Sequence, residues 1–227
     1  MSRTSITALT LGLVLSGPVA IAGAHHNPGH QQPNPANATL TLAATTSPII
    51  FGGSSALSGK LKGGQAGGQK VDIEANPAPY AGYEKVATVT TTANGSYAMT
   101  VKPLVNTRYR ATAKTSPPTA SGEVAVRVRM RAGLLLSDST PRKGSKVVFS
   151  GRVFPAHDGA KVSIRRRTST GSYVTIARTT LRDDGISRSR YRRAVTIRRT
   201  GVYQVRVTTN DTDHLSGISK ARRITVH

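Results

Sequence analysis

One alternating strand pattern occurs twice in this chain, and it restricts the fold more than any other feature. Residues 71–73 read Val-Asp-Ile in the first copy, and residues 162–164 read Val-Ser-Ile in the second. Side chains two positions apart lie on the same face of a strand, so each segment has one apolar and one polar face. Such segments recur with Gly, Pro, Asn and Asp between them, and no segment has a convincing helical period. The pattern predicts an all-β fold of the sandwich type.

The two copies agree at further landmarks, with offsets between 90 and 94 residues. The matching positions are Ser58-Gly59 and Ser150-Gly151, Tyr83 and Tyr173, Gly95 and Gly185, and Tyr109 and Tyr203. Each copy closes on a strand, "EVAVRVR" in the first and "ARRITV" in the second. We therefore expect two tandem sandwiches, residues 39–129 and 130–227, with almost no linker between them. The second core is predicted to contain Val147, Phe149, Val162, Ile164, Tyr203 and Val205.

These segments also resemble a known family. "KGSKVVFSGRVFPAHDGAKVSIRRR" and "TGVYQVRV" in the second copy, and "NGSYAMTV" and "NTRYRATA" in the first, are similar to the immunoglobulin-like repeats of exported actinobacterial proteins. The resemblance covers roughly residues 39–227 and rests on structural positions. It implies an immunoglobulin-like fold and a cell-surface setting, and it supplies no catalytic residues.

The amino terminus has the layout of a secretory signal peptide. Arg3 precedes the apolar stretch "ITALTLGLVLSG", which is too short to span a bilayer and ends in small residues. Cleavage after Ala22 or Ala24 is consistent with this layout, and we prefer Ala24, which gives a signal peptide of residues 1–24. Residues 25–38 are rich in His, Pro, Gln and Asn and predict a disordered tether. Since there is no cysteine, we expect a secreted protein without disulfides or a lipid anchor, either free or loosely associated with the cell wall.

Three histidines in the predicted tether could bind a metal ion. They are His25, His26 and His30. A free amine at His25 with its imidazole, or the sequence Gly23-Ala24-His25 after the earlier cleavage, would suit Cu(II) or Ni(II). A tether offers no second shell to orient these ligands. Copper or nickel binding is therefore the alternative hypothesis, and no other cofactor is expected.

Hydrolytic chemistry has little support in the sequence. His157-Asp158 could form half of a catalytic triad, but no serine lies in a nucleophile-elbow motif. The acidic stretches Asp183-Asp184 and Asn210–Asp213 are interpreted as turns, because they supply too few oxygens for a calcium site. We therefore expect a protein without enzymatic activity.

Positive charge is concentrated in the second copy. Residues 25–128 contain nine Lys/Arg and four Asp/Glu, a net charge of +5, whereas residues 129–227 contain twenty-two and six, a net charge of +16. In an immunoglobulin-like sandwich the third, sixth and seventh strands share a sheet, which would place Arg165, Arg206 and Arg223 on one outer face. Arg188, Arg190 and Arg192 would follow another strand. The candidate anion-binding residues are Arg165, Arg167, Arg206, Arg223, Arg188 and Arg190.

Arginine presents a planar fork that suits phosphate and carboxylate, and a basic face attracts polyanions. The expected partners are wall phosphopolymers, acidic polysaccharides, anionic lipid headgroups or extracellular DNA. Sequence-specific nucleic-acid binding is not expected, because the aromatic residues look committed to the cores and turns. The competing interpretation is a compositional preference for arginine at solvated positions. The sequence thus predicts an exported, monomeric, structural or adhesive module with a polyanion-binding second domain.

Overall fold

The computed structural model describes residues 37–227, and these contain strands and connecting turns without any helix. This confirms the all-β prediction. The predicted signal peptide and most of the predicted tether lie outside the described residues. No helix in the described range is long and apolar enough to cross a membrane.

Residues 37–129 contain eleven strands. They are β1 (Thr39–Leu40), β2 (Ala43–Ala44), β3 (Ile49–Ile50), β4 (Ser55–Lys62), β5 (Lys70–Pro77), β6 (Glu84–Thr90), β7 (Ser96–Val101), β8 (Thr107–Ala113), β9 (Thr119–Ala120), β10 (Val124–Val126) and β11 (Val128–Arg129). In one sheet β4 pairs with β7 on one side and with β1 and β2 on the other. In the second sheet the order is β10-β8-β5-β6, and β9 also pairs with β8. Strands β3 and β11 form a parallel pair.

Residues 130–227 contain ten strands. They are β12 (Arg131–Ala132), β13 (Leu135–Leu136), β14 (Lys146–Phe154), β15 (Lys161–Arg167), β16 (Tyr173–Thr180), β17 (Arg182–Asp183), β18 (Ser189–Thr196), β19 (Gly201–Thr208), β20 (Gly217–Ile218) and β21 (Arg222–Ile224). Strand β14 pairs with β12 and β13 on one side and with β18 on the other, and β17 extends this sheet beyond β18. The second sheet has the order β16-β15-β19-β20, and β21 also pairs with β19.

The long strands of both halves thus have the same pairing order, and the halves share a local irregularity as well. The pairing of β5 with β6 shifts register after Ile73, and the pairing of β15 with β16 shifts after Ile164. These two isoleucines occupy matching positions in the repeat. The internal repeat recognised in the sequence is therefore also a repeat of strand pairing.

Each half has its own cluster of buried apolar side chains, contributed by both of its sheets. Leu57 from β4 and Ile73 from β5 are fully buried in the first cluster. In the second, the six predicted core residues are at most 1% exposed, which confirms that prediction. Burying a Val, Leu, Ile or Phe side chain contributes about 1.5–3 kcal/mol. Two sheets facing a shared apolar layer are consistent with a β-sandwich.

The two clusters are adjacent in the sequence. Val128 belongs to the first cluster and Met130 to the second. The backbone N–H of Leu215 donates to the carbonyl of Val128, and the N–H of Met130 donates to the carbonyl of Leu215. Asn106 adds a hydrogen bond from its side-chain amide to the carbonyl of Thr212. Loop 209–216, which joins β19 to β20, is therefore anchored on residues of the first half.

Candidate anion-binding surface

The outer face of the sheet built from β16, β15, β19, β20 and β21 carries several cations and no acidic side chain. Alternation along β15 buries Val162 and Ile164 and turns Ser163 and Arg165 outward. We call the outward cations of this sheet the basic sheet face: Lys161, Arg165, Arg167, Arg178, Arg206 and Arg223. All except the half-buried Arg165 are exposed.

A row of three residues crosses the middle of this face. Ser163 pairs with Arg178 of β16 on one side and with Arg206 of β19 on the other. Neighbouring strands lie about 4.8 Å apart, so the two arginine backbones are about 10 Å apart with only a serine between them. This separation is close to the Debye length at physiological salt, so both charges act on the same small volume of solvent.

Four of the candidate arginines lie on this one sheet. Arg206 lies on β19 and Arg223 on β21, both exposed, and β15 carries Arg165. The Arg165 guanidinium donates to the carbonyl oxygen of Tyr173 at 2.9 Å and lies 5.4 Å from the centre of that ring. Arg165 is therefore held in place by β16. Arg167, at the end of β15, is exposed.

The remaining two candidates, Arg188 and Arg190, lie elsewhere. Arg190 lies on a strand as predicted, but Arg188 does not. Arg190 points outward from β18 in the other sheet, opposite Arg152 of β14. Arg188 precedes β18, which begins at Ser189, so it is not a strand residue. Its Nε donates to the carboxylate of Asp184 at 2.7 Å, and this bond is the main reason that the pKa of Asp184 lies below its usual value. Arg188 is thus already paired with a carboxylate.

The matching sheet in the first half is electrically balanced. Its equivalent row is Thr88, Asp72 and Thr112, so two threonines and an aspartate stand where the second half has two arginines and a serine. In the next row Glu74 lies between Lys85 and Arg110. Three ion pairs neutralise this face: Lys85 with Asp72, Arg110 with Glu74, and Arg108 with Glu123.

The strands of the two sheets differ in their numbers of basic and acidic residues. Strands β5, β6, β8, β9 and β10 carry four basic and three acidic residues. Strands β15, β16, β19, β20 and β21 carry eight basic residues and no acidic one. Within residues 37–227, no cation of the basic sheet face forms an ion pair. Like charges on neighbouring strands cost a few tenths of a kcal/mol per pair. A bound anion would remove this repulsion.

A second basic surface was missed in the sequence. A groove of about 710 Å³ lies beside β12, β13 and β14. Leu135, which is 65% exposed, and Phe154 provide apolar surface there, and the Arg131 guanidinium lies 4.3 Å from the Phe154 ring. The cations that line it are Arg131, Arg152, Arg190, Arg192, Lys220 and Arg222. These residues come from four separate segments of the chain. The strand pairing brings them together, and the sequence alone does not show that pairing.

The possible triad residues do not form a triad. The Ser189 hydroxyl donates to Asp158 rather than to an imidazole, and it is fully buried. The His157 ring contacts the Pro155 carbonyl and Asp211 instead. No serine hydroxyl bonds to this ring in the described part of the chain.

His25, His26 and His30 lie outside the described residues, so copper or nickel binding there stays a prediction. No protein-family model and no curated protein matches this chain. The resemblance to immunoglobulin-like repeats likewise stays a prediction. What the protein does must be inferred from the charges and contacts described above.

Proposed function

We propose that this protein is an exported, non-enzymatic surface module that binds linear polyanions through the basic sheet face of its second half. One observation carries the proposal. Of two sheets with the same strand order, the first has three ion pairs on its outer face, whereas the strands of the second carry eight basic residues and no acidic one, and six of the eight lie on the basic sheet face. A compositional preference for arginine would act on both halves alike, whereas binding explains why only the second-half face lacks carboxylates.

We further propose that each half is an immunoglobulin-like sandwich. Three features support this assignment. Both halves divide their long strands into two sheets of matching order, and in the first half β3 pairs in parallel with β11. The Tyr203 hydroxyl, near the start of β19, donates to the carbonyl of Arg199 four residues upstream. This is the arrangement of the tyrosine corner found in such sandwiches.

The chemistry of the face indicates the ligand class. Arginine binds phosphate and carboxylate through paired N–H groups, and its charge does not depend on pH in the physiological range. The face is an open sheet surface, and Tyr173 beside it is in contact with Arg165. It therefore offers charge contacts without base stacking or groove reading. The expected ligands are wall phosphopolymers, acidic polysaccharides and extracellular DNA, bound with low specificity.

Exchanging the central row of the basic sheet face for its first-half equivalent tests this proposal. Replacing the second-half row by its first-half equivalent requires Arg178→Thr, Ser163→Asp and Arg206→Thr. All three positions are on the outer face, and threonine is a favourable strand residue, so the fold should persist. We expect the affinity of the full chain for inorganic polyphosphate and for a duplex DNA oligomer to fall about tenfold or more, because two phosphate contacts are lost. Fluorescence anisotropy with labelled ligand measures the change.

The repeat supplies both a matched control and a gain-of-function variant. Lys62→Thr, Lys102→Thr and Lys114→Thr lower the net charge by the same three units, at exposed positions of the first half. The reciprocal transplant, Thr88→Arg, Asp72→Ser and Thr112→Arg, should strengthen binding. If the lysine control weakens binding as much as the second-half transplant, net charge alone explains the affinity and the basic sheet face is not the site.

A further inference from the structure

We propose that His157, Asp211 and His214 form a site for one transition-metal dication, with Zn(II) as the best-suited ion. The three side chains come from two loops of the second half, residues 155–160 and loop 209–216. One donor atom from each lies within 4.8 Å of the others. The site shares no residue with the basic sheet face or with the predicted amino-terminal metal ligands.

The hydrogen bonds of His157 leave one nitrogen free to bind a metal. Its Nδ1 lies 3.2 Å from the carbonyl oxygen of Pro155. A carbonyl oxygen can only accept, so Nδ1 carries the proton of the neutral ring. The lone pair of Nε2 then faces Oδ2 of Asp211 at 3.2 Å. Two acceptors at this distance require a cation between them, either a proton or a metal ion.

The second imidazole shows the same arrangement in a buried position. Nε2 of His214 donates to the carbonyl oxygen of Leu104 at 2.7 Å. Its Nδ1 is buried and has no hydrogen-bond partner among the described residues, and the residue is 8% exposed. Its ring meets the His157 ring edge-on, with the centroids 4.9 Å apart. Burying an acceptor without a partner is unfavourable, and a metal ion would satisfy it.

Hydrogen bonds from neighbouring groups orient these three side chains, as they do in known metal sites. Ligating histidines usually donate their other N–H to a carbonyl or carboxylate, as both rings do here. Asp211 is oriented as well, since Oδ1 accepts the backbone N–H groups of Asp213 and His214, and Oδ2 accepts the Thr209 hydroxyl at 2.6 Å.

Two imidazoles and one carboxylate form a donor set that suits Zn(II). Zinc ligands at about 2.0–2.1 Å in a tetrahedron are about 3.3 Å apart, so small movements would close the site.

A protonated His157 paired with Asp211 would fit the same 3.2 Å distance, but it would leave Nδ1 of His214 unsatisfied. A metal ion satisfies all three side chains. It would also join the two loops at the place where His214 contacts Leu104 of the first half. The expected role is therefore to stabilise the joint between the halves.

Isosteric substitutions test the site in the full-length chain. In His157→Asn, the amide nitrogen takes the place of Nδ1 and keeps the donor to Pro155. In His214→Gln, the amide nitrogen takes the place of Nε2 and keeps the donor to Leu104. Each change removes a metal ligand, and Asp211→Asn provides a third variant that retains the side-chain shape. The matched control is the triple variant His25→Ala, His26→Ala and His30→Ala.

Zn(II) affinity is measured by competition with a chromophoric chelator, and tetrahedral geometry by the visible absorption of the Co(II) form. We expect one Zn(II) bound by the parent and the triple variant, and a loss of affinity of about 100-fold or more in each loop variant. At free Zn(II) about 100 times the parent's Kd, Tm should rise by about 5–10 °C in the parent and in the triple variant, and by much less in each loop variant. Retained affinity in both His214→Gln and Asp211→Asn, or loss of binding in the triple variant alone, would overturn the assignment.

Discussion

Tyr203 shows how one side chain connects core packing with backbone anchoring. Its ring is 1% exposed and lies 5.8 Å from the Phe149 ring, centroid to centroid, while its hydroxyl donates to the Arg199 carbonyl at 2.7 Å. The residue therefore joins β19 to the opposite sheet and to the preceding turn. Burial raises the pKa of this phenol, which keeps the hydroxyl protonated and able to donate.

Tyr203→Ala should lower the free energy of unfolding by about 3–5 kcal/mol, because the large cavity cannot collapse. Tyr203→Phe keeps the ring and should cost only about 0.5–1.5 kcal/mol for the lost hydrogen bond. Urea denaturation monitored by far-UV circular dichroism measures both. A cost below 1 kcal/mol for the alanine variant would show that this strand is not packed as described.

At the scale of single elements, β4 and β14 each contain a glycine against which a tyrosine ring from the neighbouring strand packs. Gly59 lies under the Tyr97 ring, whose hydroxyl donates to the Thr41 carbonyl. Gly151 lies under Tyr191, whose hydroxyl donates to the Gly133 carbonyl at 2.8 Å. Burial raises the pKa of Tyr97 to about 12. The Ser-Gly motif that marks the repeat therefore has a packing cause in both halves.

Gly59→Ala and Gly151→Ala should each destabilise the protein by about 1–3 kcal/mol or more. An added Cβ would overlap a carbonyl oxygen, of Thr41 in the first case and of Gly133 in the second, as well as the tyrosine ring. Gly82→Ala is the control, because its Cβ would meet no atom within 4 Å and its φ is not in the left-handed region. Thermal unfolding compares the three. Equal melting temperatures would mean that these tyrosines do not pack over the glycines.

Alternation was sufficient to predict the long strands and their buried faces, as for Val162 and Ile164. It could not predict the two-residue strands such as β12 and β13, because two residues contain no period. It also placed Arg188 in a strand, since a turn stabilised by the Asp184 ion pair leaves the same spacing of arginines. Contacts between distant loops, such as His157 with His214, depend on how the sandwich closes and leave no local pattern.

At the scale of the whole molecule, the uneven charge could be recognised in the sequence, but its placement could not. Net charges of +5 and +16 say nothing about which cations have partners. Register showed that Thr88, Asp72 and Thr112 correspond to Arg178, Ser163 and Arg206. It also showed that three of the four cations on the first-half sheet are paired with carboxylates. This correspondence is what distinguishes the second-half face as a polyanion-binding surface.

The salt dependence of duplex DNA binding tests that claim most directly. Each phosphate neutralised contributes about −0.9 to the slope of log affinity against log salt concentration. The parent and the variant Arg178→Thr, Ser163→Asp and Arg206→Thr are compared by anisotropy titrations from low to physiological salt. Because two phosphate contacts are removed, the variant's slope should be shallower by about 2, with an unchanged circular dichroism spectrum. Equal slopes in the two folded proteins would show that Arg178 and Arg206 do not contact the polyanion and would contradict the account.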